Sequence, residues 1–249
     1  MERLGLPDPR EFYILSDKEK EIDALKKEII FHNSRAEKEP ALEKLQRLEE
    51  IVGKDDRFMY QFILRTRTLL MPFNFEEKLA MLDEAIRITV PQFNIKKIGR
   101  HLYCIEEIKI ISQMASIYGQ KGEHRISLGL FGQLTDYVEE RFPYKIHSGG
   151  YLPMITHNYA IELGRCKLYD DSIEMAERCR NYCIEYGYGE SLPGAVAIMA
   201  ENYFFKGDYE ESKELYKCAY YGYKMMKNER AVKRLAAEVS EHYGEHFEF

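Results

Sequence analysis

The stretch Ala200-Glu201-Asn202-Tyr203-Phe204-Phe205-Lys206-Gly207-Asp208-Tyr209-Glu210-Glu211-Ser212 decides the fold. It places a small residue, an aromatic three positions later, a turn residue seven on and a serine twelve on, and Tyr216 and Ala219 continue the pattern. The same spacing occurs at Ala160, Leu163, Lys167 and Ser172 and at Ala115, Tyr118, Gly122 and Ser127, so the template repeats at steps of 45 and then 40 residues. Self-similarity at this period marks stacked helical hairpins. The first helix of a hairpin must approach its partner closely at one point, which a small side chain such as Ala115, Ala160 or Ala200 allows. Tyr118, Leu163 and Tyr203, one turn further on, fill the gap between hairpins. The turn position calls for a positive φ, which glycine adopts without steric cost. Lys167 departs from this rule.

Outward from the template, apolar residues keep helical spacing almost throughout. Residues 1–16, with Gly5, Pro7 and Pro9, read as an irregular lead-in, and 17–249 as one repeat domain. A helix starts at Ser16-Asp17, carries Ile22, Leu25, Ile29 and Ile30, and is expected to end before Pro40. A second carries Leu42, Leu45, Leu48, Ile51 and Val52 and stops at Gly53. The next pair is expected at 57–71 and 75–89, followed by a connector over 91–100. The three template hairpins place first helices at about 101–120, 151–167 and 191–206 and second helices at about 123–142, 170–186 and 208–226. Glycine-bearing loops at 142–150 and 186–190 interrupt the array, and a helix from Asn228 to about Tyr243 covers its end. No strict apolar–polar alternation appears, so the expected class is all α.

Composition narrows the function. Hydrophobic residues make up 45% of the 249, charged residues 31%, and net charge is -6, with Lys and Arg scattered among Asp and Glu. No basic run offers a phosphate footprint, so this chain itself is not expected to contact nucleic acid. No apolar stretch reaches the roughly 18–20 residues that cross a bilayer, and MERLGLPDPREF lacks the order of a signal peptide, so no membrane contact and a cytoplasmic location are expected. Five cysteines in a large helical chain fit reduced thiols.

Catalytic motifs are not found. There is no glycine-rich phosphate loop ending in Gly-Lys, no Gly-x-Gly-x-x-Gly after a strand and no Gly-x-Ser-x-Gly elbow, so neither a cofactor nor an enzyme is expected. Glu106-Glu107 and Glu210-Glu211 are sequence neighbours and point apart on a helix. His242-Tyr243-Gly244-Glu245-His246 has zinc-protease spacing but lies at the chain end, with a glycine inside it and no third ligand downstream. Cys179 and Cys183 share a helical face, where packing is the expected role, and no metal site is assigned.

The template, most fully Ala200, Tyr203, Gly207, Asp208, Tyr209, Ser212, Tyr216 and Ala219, resembles the tetratricopeptide repeat. The chain departs from that family at Lys167, at His124 where tyrosine is preferred, and at Ser127, Ser172 and Ser212 where alanine is usual. The resemblance implies a right-handed superhelical array of about five such hairpins plus a capping helix. The whole layout, from ERLGLPDPREFYILSDKEKEIDALKKEI onward, is similar to the C-terminal sensor region of Xre-family regulators of the PlcR/Rgg type. That family's repeats dimerise and bind a short peptide on the concave face, altering an attached helix-turn-helix domain. Nothing before residue 16 reads as a helix-turn-helix, so the layout implies a sensor without its DNA reader.

In such an array the first helices line the concave wall. Counting from the small residues places Ser112, Ser116 and Gln120, then His157, Ile161 and Arg165, then Ala197, Glu201 and Phe205 along it. The second hairpin adds Gln61 and Arg67, while Asn158 and Asn202 lie on first helices at different template positions. Hydrogen-bonding groups beside Arg67 and Arg165 suit an extended peptide. The plainer alternative pairs these arginines with Glu162 or other nearby acids. Tyr220, Tyr221 and Tyr223 are expected to pack between hairpins or at a dimer face. The functional expectation is a peptide- or protein-binding sensor acting as a homodimer. Its alternative is a repeat scaffold joining proteins without a signalling role.

Overall fold

A computed structural model describes residues 16–53, 55–141, 151–244 and 247–249. Among them the chain is all α, with eleven helices and no strand. The lead-in up to residue 15 and the 142–150 loop lie outside the described residues. Contacts divide the chain into two compact units, Met1–Ile117 and Tyr118–Phe249, where the sequence reading takes 17–249 as a single domain.

In the first unit, α1 (Asp17–Ser34) and α2 (Lys38–Ile51) form a hairpin, α3 (Arg57–Leu70) packs on α2, and α4 (Phe75–Arg87) packs on α3. Leu25, Ile29, Ala41, Leu45, Leu48, Met59, Phe62, Ile63 and Leu70 make one core. Ser16 and Glu19 form a reciprocal cap at the start of α1, as Asn74 and Glu77 do for α4. Helix α1 ends before Pro40, as expected. Ala36 takes φ +51, Glu37 N–H donates to the His32 carbonyl at 2.9 Å, and α1 closes at Ser34. Pro40 falls in the first turn of α2, where its missing N–H would have had no intrahelical acceptor. The 91–100 connector holds a 3-10 turn at Ile98–Arg100 with Ile98 buried. Helix α5 (Ile105–Gln120) starts later than the expected residue 101. There the Cys104 N–H donates to Glu107 Oε2 at 2.6 Å and fixes the start.

The second unit contains the end of α5, then α6 (His124–Arg141), α7 (Tyr151–Arg165), α8 (Tyr169–Tyr186), α9 (Leu192–Lys206), α10 (Tyr209–Met225) and α11 (Glu229–Tyr243). Each packs on its sequence neighbour from α6 to α11, and α7 also packs on α9. Two cores carry it. Ala160, Leu163, Met175, Ala176, Ile198 and Met199 form one, and Ala200, Tyr216, Ala219, Tyr223, Ala231, Leu235 and Val239 the other.

The template residues have distinct mechanical roles. Ala115, Ala160 and Ala200 are fully buried. Gly122, Lys167 and Gly207 all lie in the left-handed region, at φ +87, +60 and +86, so Lys167 adopts the glycine conformation the register demands. Ser172 Oγ donates to the Ala160 carbonyl at 2.7 Å and Ser212 Oγ to the Ala200 carbonyl at 2.8 Å, so the serine ties the second helix to the close-contact point of the first. Ser127 is equally buried, but its hydroxyl has no hydrogen-bond partner among the described residues. The tyrosine run packs within the chain. Tyr223 is in the core, Tyr220 stacks on Phe249 with centroids 3.9 Å apart, and Tyr221 donates to the Phe249 carbonyl at 2.9 Å.

Candidate functional site

First helices in this register turn one face toward the next hairpin, and in the second unit those faces enclose a cavity of about 550 Å³. Its size falls within the range of small-ligand sites. From α7 it is lined by His157, Ile161 and Arg165, and from α9 by Ala197, Glu201, Asn202 and Phe205. Tyr223 of α10 and Arg234 and Glu238 of α11 also line it. The aliphatic Ile161 and the Tyr169–Phe205 ring pair, stacked at 5.6 Å, supply apolar surface. Gly194 lets two polar side chains approach, since a Cβ there would lie 2.9 Å from His157 Cε1 and 3.3 Å from the Tyr223 hydroxyl.

Two arginines and two glutamates face one space. Burial and the charge of Glu238 push the Glu201 carboxyl up to about 7, against the opposing pull of Arg165 and Arg234. Burial, helped by Arg234, holds His157 down to about 4, so its ring is neutral at physiological pH, and its Nδ1 has no hydrogen-bond partner. Burial also raises the Tyr223 hydroxyl. Glu238 accepts from the Tyr216 hydroxyl at 2.7 Å, which fixes one carboxylate wall, and Tyr216 also meets His242 Nδ1 at 3.0 Å. The site can thus offer guanidinium cations to a carboxylate and carboxylate oxygens to a donor, beside apolar contact.

The other expected wall residues fall elsewhere. Gln61 is fully buried in the first unit, its Nε2 donating to the Ala85 carbonyl and Thr89 Oγ1, both at 2.9 Å, so it is an internal tie and not a wall contact. Arg67 makes a bidentate pair with Glu49 at 2.9 and 2.8 Å, so the plainer alternative describes it, with a different acid. Ser112 is buried, and Ser116 donates to the Ser112 carbonyl at 3.1 Å. Gln61 and Ser112 are thus buried, and Arg67 and Ser116 are held by partners within the first unit. Gln120 is exposed at the end of α5, and Asn158 is half-buried on α7 outside the cavity lining. Asn202 lines the cavity although nearly all of it is buried, with Nδ2 donating to the Ile198 carbonyl at 2.6 Å. Arg165 keeps a loose pair, Nη1 standing 3.5 Å from Glu162 Oε2.

Arg234 and Glu238 were missed because α11 reads as a cap. Their i, i+4 spacing on one face of it was the available signal. Of the zinc-protease-like segment, Glu245 and His246 lie outside the described residues, while His242 stacks on Phe204 at 4.0 Å. All five cysteines are free thiols, and Cys179 and Cys183 sit in a small core with Ala195. No described helix is long and apolar enough to cross a membrane.

No family model and no curated protein matches the sequence. Solved structures do. The chain is similar to Bacillus thuringiensis PlcR, whose crystal structure is of a complex with the peptide PapR7 and DNA, at 16% identity and a TM-score of 0.73 over 91% of this chain and 77% of that one. It is also similar to a signal transduction ATPase with numerous domains and a tetratricopeptide repeat sensor from Pyrococcus horikoshii, at 16% identity and a TM-score of 0.52, covering 96% of this chain but 38% of that one. A third similarity is to the tetratricopeptide-like repeats of a putative kinesin light chain from Podosopora anserina, at 12% identity and a TM-score of 0.50, covering 86% and 99%. At these identities the likeness shows the fold: a tetratricopeptide-like helical repeat array.

Proposed function

We propose that this chain is the peptide-binding sensor region of an Xre-type transcriptional regulator and that its ligand, a short peptide, sits in the cavity between α7, α9 and α11. The observation that carries the reading is the mixed charge of that cavity, with Arg165 and Arg234 facing Glu201 and Glu238 beside the Tyr169–Phe205 stack. A peptide presents that chemistry in reverse, as a carboxylate, amide or amino donors and apolar side chains. The likeness to a sensor solved with a peptide supports the reading. In this scheme the protein works in the cytoplasm as a homodimer, and DNA is contacted by a helix-turn-helix domain and not by the repeats.

Titration calorimetry of the chain against short peptides encoded beside its gene tests the proposal. Saturable binding is expected, weakened about 10-fold or more by Arg165→Ala, since a hydrogen bond to a charged group contributes about 1.5–3 kcal/mol. Unchanged affinity in that variant removes Arg165 from the site, and no binding by any such peptide contradicts the reading. Sedimentation over a range of concentrations checks the dimer, which a monomer at all of them would exclude.

A further inference from the structure

We infer that His124, Glu162 and Cys166 form a binding site for a zinc-class divalent cation, beside the peptide cavity, whose Arg165 it has as a neighbour, and independent of the reading given to that cavity. His124 is the first residue of α6, Glu162 lies on the last turn of α7, and Cys166 follows that helix immediately, at i, i+4 from Glu162. One donor atom from each residue lies within 4.8 Å of the others. A tetrahedral zinc with ligands at about 2.0–2.3 Å holds its donors roughly 3.3–3.7 Å apart. The His124 Nδ1 to Glu162 Oε1 distance is 2.6 Å, so these two need to open slightly around an ion while the thiol closes.

The carboxylate shows that the place is built. The Glu162 side chain is 1% exposed, yet no hydrogen bond reaches Oε2, and the only cation beside it among the described ion pairs is Arg165 at 3.5 Å. Burying a carboxylate oxygen without hydrogen bonds is costly. Gly119 makes the room for it, since a Cβ at that position would stand 2.1 Å from Oε2. The template departs from the repeat pattern at His124, one of the three ligands.

The donor set selects the metal. Imidazole, carboxylate and thiolate suit zinc and exclude magnesium and calcium, which take oxygen ligands. On binding, the Cys166 thiol releases its proton to solvent, the proton that His124 Nδ1 shares with Glu162 Oε1 in the empty site leaves through solvent so that the neutral ring carries its proton on Nε2 and offers the Nδ1 lone pair, and water completes the shell.

Cobalt(II) titration of the full chain under a thiol reductant tests the site. One equivalent is expected to produce a near-ultraviolet thiolate-to-cobalt absorption that zinc then abolishes. Cys166→Ser should remove that band and Cys218→Ser should leave it. His124→Gln should weaken binding at least about 10-fold, because losing even an outer partner of a ligand weakens metal affinity by that much. Circular dichroism without metal shows whether each variant is folded, and either variant alone decides the matter if the other is not. No band in the parent chain, or a band that survives Cys166→Ser, overturns the assignment.

Discussion

Ser127, Ser172 and Ser212 occupy one template position and are not equivalent. Ser172 and Ser212 each donate to the alanine carbonyl twelve residues earlier, which already accepts within its helix. Ser172→Ala should therefore cost about 1 kcal/mol, one net hydrogen bond with no orphaned acceptor. Ser127→Ala should be neutral or stabilise by about 1 kcal/mol, because the hydroxyl it removes is buried and unpartnered. Denaturant midpoints of the two variants check the contrast, and equal losses would contradict it. The sequence aligns the three serines, but the repeat pattern alone cannot say which hydroxyl finds a carbonyl. His157 and Glu201 make a second pair at this scale. Between about 4 and 6.5 the unfolded chain holds the His157 proton that the folded chain lacks, so this residue makes stability rise with pH. Between 4.5 and about 7 the folded chain holds an extra proton on Glu201, so that residue makes stability fall with pH. The two oppose each other over their shared window. Relative to the parent, Glu201→Gln should add a rise with pH from about 4.5 to 7 by removing the falling contribution, and His157→Gln a fall from about 4 to 6.5. Each slope is at most about 1.4 kcal/mol per pH unit. Unfolding measured across this range tests both signs, and parallel profiles for all three proteins would contradict them.

Helix ends are where the elements were hardest to read. Six of them, among the described residues, close by one device, a residue in the left-handed region whose N–H and the next N–H return to the last turn. The residues are Ala36, Gly122, Lys167, Gly187, Gly207 and Lys227. The three glycines announced themselves, and the template register marked Lys167. Ala36 and Lys227 carry no such signal, so the sequence bounds the end of α1 only by Pro40, while α1 stops at Ser34. A side chain in this conformation costs roughly 1 kcal/mol or more against glycine. Lys167→Gly should therefore stabilise the second unit by about 1 kcal/mol, read from its denaturant midpoint. A loss of stability would show that Lys167 makes contacts that outweigh the strain. The interiors were legible: buried stripes such as Leu25–Ile29 in α1 and Ala160–Leu163 in α7 match their helical spacing, because periodicity reports which face is covered.

For the whole molecule, the repeat template was enough to establish an all-α hairpin array, and of the positions counted from it His157, Ile161, Arg165, Ala197, Glu201 and Phe205 line one cavity. Gln61 and Arg67, taken from a second hairpin that shares only helical periodicity with the template, make ties within the first unit, and Ser112 of α5 is buried there. Register carries over only as far as the hairpin geometry that defines it. Arg234 and Glu238 could not be found this way, since they reach the cavity from a helix outside the repeat. The central claim is that a peptide occupies this cavity. Hydrogen exchange of the chain with and without a saturating peptide tests it most directly. Protection is expected to concentrate in residues 157–165, 194–205 and 234–238, where ligand contacts slow local opening. Binding with no change in those three segments, or with protection confined to other helices, would contradict the account.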